Sequence, residues 1–273
     1  MQLRTFGGLS IEADAGEAAI PSIGPRRLAL LALVAAAGTR GITREKILGI
    51  LWPETDEEQA RHTLSQTLYL LRRETGRDWI TGTASLRLDP GIKSDVGEFQ
   101  EALSVDDVAR ACARYTGPFL EGFYLAGAPE FEEWVEQTRA RLQFAALKAL
   151  ETCARRCTEA GQHTEALNWW RRLGEIDPFS ATYAADRIRA HIALGDQAGA
   201  LRFAREYESR VQRDLDTAVD PVIGEFLASL RTTRKEPVVP APAEAAVAPA
   251  PTAALPPIDG GGPPTAGKIN RRQ

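Results

Sequence analysis

One segment of this 273-residue chain, residues 59–77, concentrates side chains that can recognise a polar surface. When the segment is projected on a helix at about 100° per residue, its apolar and polar side chains separate onto opposite arcs. The apolar stripe is Ala60, Leu64, Thr67, Leu68 and Leu71. The polar arc, whose members can all form hydrogen bonds, is Arg61, His62, Ser65, Gln66, Tyr69, Arg72 and Arg73. The segment holds four arginines and one glutamate, which gives it a local charge of +3.

This combination of side chains suits the major groove of double-stranded DNA. An arginine can pair with guanine through two hydrogen bonds and a glutamine with adenine, while serine, tyrosine and further arginines bind phosphates. Arg61 lies toward the N-terminal end of the predicted helix, the end that enters the groove, whereas Arg72 and Arg73 lie toward the phosphates. A solvated amphipathic helix has a similar face, so the interpretation depends on the neighbouring elements.

Those neighbouring elements predict a winged helix, an α+β fold, over residues 1–92. Two short strands flank a glycine pair near the N-terminus, and an Ala- and Leu-rich helix follows at 26–37. Thr43 has the side chain of a helix N-cap, and Pro53 follows the end of the second helix. Asp56 begins the third helix, which is the one that carries the polar arc.

The third helix is predicted to cover 56–74 and to end before Gly76. Segments 79–81 and 86–88 then predict a β-hairpin with a tight loop. Its polar side chains, which are placed to touch the DNA backbone or the minor groove, are Thr81, Thr83, Ser85 and Arg87. A third helix followed by a hairpin favours DNA recognition over a merely solvated face.

Residues 93–232 are predicted to form a second, all-α domain. The pattern Gly-x4-Ala-Leu begins at Gly161 and again at Gly195. The offset is 34 residues, the period of the tetratricopeptide helix-turn-helix unit. One unit cannot bury its own apolar face, so flanking helices are expected. We predict two copies of the repeat, at 147–180 and 181–214. The flanking helices are predicted within 95–146 and at 221–230. Tryptophans of this domain are interpreted as core or partner contacts rather than DNA contacts: Trp134, Trp169 and Trp170.

The composition changes at residue 233, and 9 of the 17 prolines lie within 237–264. Such a segment cannot build a core, so 233–273 is predicted to be a disordered tail. The stretch 262–268 imitates a phosphate-binding loop, but Ile269 stands where a Ser or Thr must reach magnesium. We interpret this match as chance in a Gly- and Pro-rich segment.

Several classes of function are disfavoured by the sequence. Catalytic motifs are absent and the three histidines are scattered, so neither an enzyme nor a cofactor or metal site is predicted. Cys153 and Cys157 share a helix face and are open to metal or oxidant chemistry, but small buried residues are the preferred interpretation. The longest apolar run, 28–37, is half the length of a membrane span, and Met1 begins no signal peptide, so a cytoplasmic protein is expected. A net charge of -4 does not exclude DNA, because a local basic face suffices.

Seven segments resemble one family, the antibiotic-regulatory type of bacterial activator, in which an OmpR-like winged helix precedes a bacterial transcriptional activation domain. The segments are 3–9, 26–33, 48–53 and 60–74 for the winged helix, and 95–99, 115–120 and 131–135 for the activation domain. The resemblance covers about 1–232. It implies a DNA-binding activator that recruits RNA polymerase and that often binds direct repeats as a homodimer. The alternative is a helical-repeat scaffold for protein partners that does not bind DNA.

Overall fold

The computed structural model describes residues 1–12 and 23–233. The predicted tail, 233–273, lies outside these residues except for Thr233, and so does the stretch 262–268. The described residues form a small mixed α/β part followed by a helical part. The predicted fold class, a mainly α chain with an α+β winged helix ahead of tetratricopeptide-like helices, is therefore confirmed.

Among the described residues, the winged helix contains three helices and two small sheets. Its strands and helices are β1 (Gln2–Arg4), β2 (Ser10–Glu12), α1 (Pro25–Ala37), β3 (Ile42–Thr43), α2 (Arg44–Leu51), α3 (Glu57–Thr75), β4 (Ile80–Thr81) and β5 (Ser85–Leu88). A strand from the following segment, β6 (Lys93–Ser94), pairs in parallel with β1, which is antiparallel to β2. The second sheet has the order β3-β5-β4, and both of its pairings are antiparallel.

Local signals place the ends of α2 and α3 where the sequence predicts them. The Thr43 hydroxyl accepts the N–H of Lys46, and the Asp56 carboxylate accepts the N–H groups of Glu58 and Gln59. Gly76 ends α3 in the left-handed conformation at φ +71°, and its N–H donates to the Arg72 carbonyl. These bonds satisfy backbone groups that a helix end leaves unpaired.

The helical part comprises seven helices within the described ranges. They are α4 (Asp95–Ser104), α5 (Val108–Arg114), α6 (Pro129–Glu159), α7 (His163–Ile176), α8 (Ala181–Ala193), α9 (Gln197–Leu215) and α10 (Pro221–Thr233). The turns before α7 and α9 contain Gly161 at φ +73° and Gly195 at φ +75°, so the two predicted repeat glycines have the same structural role. The sequence analysis begins the first repeat at residue 147, but that residue lies in the middle of α6. No glycine or proline follows Pro129 within this helix, so nothing interrupts it there.

The winged helix and the start of the helical part share one hydrophobic core. Leu3 of β1, Leu30 of α1, Phe99 of α4 and Phe131 of α6 are completely buried in the same cluster. The Phe6 ring packs edge-on against Phe99, with 5.5 Å between ring centroids. The described residues, 1–12 and 23–233, accordingly belong to one compact unit.

A buried carboxylate connects the first strand to α4. Asp95, 5% exposed, accepts the N–H groups of Thr5 and Phe6, each at 2.9 Å, and the Thr5 hydroxyl at 2.6 Å. It also accepts the N–H of Val96 at 2.7 Å. A carboxylate offers only hydrogen-bond acceptors, so Asp95 alone satisfies all of these donors. Asp95 lies outside residues 1–92, so the winged helix depends on a side chain of the helical part.

The cysteines lie between helices of the second domain. Cys112 of α5 and Cys153 of α6 are buried, and their Sγ atoms are 3.9 Å apart. Burial, together with the neighbouring Cys153 sulfur, raises the pKa of the Cys112 thiol to about 12, and burial also raises the pKa of Cys153. Both therefore stay protonated at neutral pH and are poor nucleophiles. The pairing of Cys112 with Cys153 across two helices was not evident from the sequence spacing.

Neither a membrane span nor a metal cluster occurs in the part of the chain that the structure describes. Within 1–12 and 23–233, none of the helices combines the length and the apolarity that a membrane crossing requires. In the same ranges, no group of three or more His, Cys, Asp or Glu side chains is arranged to hold a metal ion.

Candidate nucleic-acid interface

The seven side chains of the predicted polar arc lie together on the solvent-exposed face of α3. They are Arg61, His62, Ser65, Gln66, Tyr69, Arg72 and Arg73, and each is exposed. On the opposite face Ala60, Leu64, Thr67 and Leu71 are buried, and Leu68 is half-buried. Because a helix repeats every 3.6 residues, this separation leaves the whole polar arc open to a partner.

Two arginines of this face hold acidic neighbours. Arg61 Nη2 lies 2.5 Å from Glu57 Oε1, and Arg72 Nε lies 3.3 Å from Asp78 Oδ1. All four side chains are more than half exposed, so each pair contributes about 1 kcal/mol or less to stability. Glu57 and Asp78 fall just outside the segment 59–77, so the sequence count of charges omitted them.

The remaining polar side chains of α3 interact along the helix. The Arg73 guanidinium lies 5.9 Å from the Tyr69 ring centroid, and Tyr69 is 62% exposed. The Gln66 amide and the His62 ring are within hydrogen-bond distance, at 2.9 Å. Since none of these contacts buries the groups, they arrange the side chains before a ligand arrives without occupying them.

The hairpin of β4 and β5 forms the wing. Thr81 and Arg87 are directly opposite each other in the antiparallel register, and both are exposed, as is Thr83 in the loop. Three of the four wing residues predicted to contact DNA therefore lie on its surface, whereas Ser85 is half-buried and its hydroxyl donates to the Arg40 carbonyl at 3.3 Å. Gly82 has φ +105°, and a Cβ built there would lie 2.1 Å from the Ser85 carbonyl oxygen. The loop conformation thus requires glycine at this position.

A residue that the sequence interpretation missed supports the wing loop. Arg44, the first residue of α2, donates from Nε to the Thr83 carbonyl oxygen at 2.6 Å. A cation at a helix N-terminus is disfavoured by the helix dipole, and this was the only signal in the sequence that Arg44 has a distant partner. Arg44 joins the wing to the helix that precedes α3.

The orientation of α3 relative to the rest of the winged helix is also held by side chains. Arg27 of α1 donates to Glu74 at 2.6 Å, and both side chains are about three-quarters covered. Trp79, 1% exposed, anchors the start of the hairpin, and its carbonyl accepts the N–H of Asp89 at the other end. The polar face and the wing are therefore presented together.

Replacement of Gly82 by Ala is expected to distort the wing and to destabilise the protein by about 1–3 kcal/mol, because alanine is strained at this φ and collides with the Ser85 carbonyl. Thermal unfolding measures the effect. The matched control is Gly49→Ala in α2, where a Cβ meets nothing within 4 Å. That change should stabilise the helix by up to about 1 kcal/mol. Equal melting temperatures for the two variants would contradict the assigned loop conformation.

Comparison with known proteins identifies the helical part. Residues 93–231, half of the chain, match the bacterial transcriptional activator domain family. An uncharacterised 47.3 kDa protein encoded in the thcA 5' region of Rhodococcus erythropolis is 30% identical over 137 residues. That match spans 50% of this chain and 30% of the relative.

A solved structure extends the likeness to the winged helix. The fold is similar to that of EmbR from Mycobacterium tuberculosis, which was solved in complex with a low-affinity phosphopeptide. The TM-score is 0.51 at 18% sequence identity, and the match covers 87% of this chain and 66% of that one. At this identity the comparison supports the fold. The chain spans less than two-thirds of the length of either protein.

Proposed function

Because the chain belongs to the bacterial transcriptional activator domain family, we propose that it is a regulator of the antibiotic-regulatory type, which binds specific sites in double-stranded DNA and activates transcription from them. The observation that carries the proposal is the exposed polar face of α3, next to the wing. We assign DNA binding to residues 1–92 and activation to 93–232, with 233–273 as an appended tail. The protein acts in the cytoplasm without enzymatic activity.

The proposed docking places α3 in the major groove with its N-terminal half against the bases. Arg61 and Gln66 read base edges there, since their side chains match guanine and adenine. Arg72 and Arg73 hold phosphates, and the other polar side chains complete the contacts: His62, Ser65 and Tyr69 from α3, and Thr81, Thr83 and Arg87 from the wing. RNA polymerase is the proposed partner of the helical part, and a homodimer on direct repeats is the proposed state on DNA.

Substitutions on α3 should separate base reading from phosphate binding. Arg61→Ala or Gln66→Ala is expected to weaken binding to the preferred site by about 1–3 kcal/mol and to relax the choice of base at one position. Arg72→Ala or Arg73→Ala should weaken binding to all duplexes alike. Each should also make the slope of log affinity against log salt concentration shallower by about one for each phosphate that the variant no longer binds. The measurement is the affinity for a selected site and for random duplex at three salt concentrations.

The control for these variants is Arg155→Ala on α6, which removes an exposed arginine paired with Glu151 far along the chain from α3. Its affinities should equal those of the unmodified protein. If none of the four α3 substitutions changes either affinity, the polar arc is a solvated surface. The protein would then be a repeat scaffold without DNA binding, for which random duplex shows no appreciable association at low salt.

A further inference from the structure

A groove lies where the winged helix meets the helical part, on a side that does not include α3. Its walls are the end of α1 with the following turn Gly38–Arg40, the segment from β5 to β6, and α4, with one side chain from α6. We call it the α1–α4 groove. Its volume is about 910 Å³, within the range of small-molecule sites in proteins.

Four cationic side chains line this groove, and none has an acidic partner in the described part of the chain. They come from three separate segments: Arg40, Arg87, Lys93 and Arg141. Each is exposed, and none forms an ion pair within 4.0 Å among the residues that the structure describes. Unpaired like charges gathered in one concave space raise the potential there and attract anions.

The acidic residues of the groove do not neutralise these cations. Glu98 pairs with Arg114 at 3.0 Å and Glu101 with Arg110 at 3.7 Å, and neither arginine belongs to the lining. The third acid, Asp89, accepts the N–H of Gly91 in its own turn. Arg110 also pairs with Asp107 at 3.7 Å, so six cations face four carboxylates, and the groove and its ion pairs carry +2.

The remaining lining can hold an uncharged group. Ala37, Leu88 and Pro90 are half-buried or exposed and offer apolar surface, and Thr39 and Ser104 offer hydroxyls that donate or accept hydrogen bonds. A volume of about 910 Å³ suits a ligand of small-molecule size.

We propose that the α1–α4 groove binds a nucleoside polyphosphate, whose chain of phosphates matches the four unpaired cations and whose nucleoside lies against the apolar part of the lining. Guanidinium groups bind phosphate oxygens through paired hydrogen bonds, and hydroxyls and a lysine suit the remaining oxygens. Such a ligand would touch the winged helix through Arg40 and Arg87 and the helical part through Arg141. It would therefore stabilise the junction between the reading and activating parts.

The test uses the full chain and ATP, tripolyphosphate and adenosine as probes, without divalent cations, in isothermal titration calorimetry. ATP should bind, tripolyphosphate should bind more weakly, and adenosine should not bind measurably. Arg40→Gln and Arg141→Gln should each weaken ATP by about tenfold, as expected for the loss of a hydrogen bond to a charged group. Neither residue belongs to the proposed DNA-contacting set, and both side chains are exposed, so melting temperatures without ligand should not change.

The matched control is Arg155→Gln, which removes an exposed arginine from the same helix as Arg141 but away from the groove. It should bind ATP as the unmodified protein does. Absence of ATP binding, or equal affinities for the Arg141→Gln and Arg155→Gln variants, would overturn the proposal. Failure here leaves the function proposed for α3 untouched, because that function is measured on DNA.

Discussion

Asp95→Asn is expected to destabilise the protein by about 2–4 kcal/mol and to lower Tm by roughly 5–15 °C. Asp95 accepts hydrogen bonds from backbone groups on both of its oxygens. An asparagine presents an NH2 group at one of the two positions. Whichever way the amide turns, that group faces a backbone N–H of Phe6 or Val96, which leaves a buried donor without an acceptor. Thermal and denaturant unfolding measure the loss.

The control for this substitution is Asp106→Asn, which makes the same chemical change at the surface. Asp106 has φ +55°, a conformation that asparagine tolerates, and its ion pair with Arg156 is more than half exposed on both sides. Its stability should change by less than about 0.5 kcal/mol. If both variants melt at the same temperature, the Asp95 network does not hold the two parts of the chain together.

Trp170→Ala should destabilise the helical part by about 3–5 kcal/mol, which is the usual cost of removing a large aromatic side chain from a core. Trp170 is 2% exposed, and its Nε1 donates to the Thr158 hydroxyl at 3.3 Å. Its ring also packs beside Tyr183 of the next repeat, with 6.3 Å between centroids. The substitution therefore opens a cavity between two repeats. The melting temperature and the exchange of amide hydrogens in α7 and α8 measure the effect.

Phe144→Ala provides the comparison, because it deletes an aromatic ring of the same helical part that is 73% exposed. Its melting temperature should stay within about 1–2 °C of the unmodified protein. The melting temperature of Trp170→Phe should fall between those of Trp170→Ala and Phe144→Ala, since phenylalanine keeps most of the buried area but loses the hydrogen bond to Thr158. A Trp170→Ala melt equal to that of Phe144→Ala would show that Trp170 contributes no core packing.

Features that depend on a few adjacent residues were predictable from the sequence. The caps at Thr43 and Asp56 and the stop at Gly76 are chosen by side chains within three residues of the backbone groups they satisfy. The exposed arc of α3 follows from helical periodicity alone. Gly161 and Gly195 recur because each repeat turns in the same way.

Features that depend on distant residues were not predictable. Asp95 meets Thr5 across 90 positions of sequence, and Arg44 meets Thr83 across 39. Each pair is brought together only when the sheets close against the helices, so no local pattern contains it. The DNA contacts of α3 stay a prediction for the same reason: they depend on how a partner outside the chain is oriented.

The shared core of the winged helix and the helical part has a consequence for promoter architecture. The proposed DNA-reading helix α3 and the helical part belong to one compact unit, so under the proposed function they cannot move far relative to each other around the duplex. DNA turns once in about 10–10.5 base pairs. An operator moved by half a turn would carry the activating helices to the opposite side of the DNA from polymerase, while a full turn would restore their side. We therefore expect activation to depend on which face of the DNA helix carries the operator, and not only on the distance of the operator from the polymerase site.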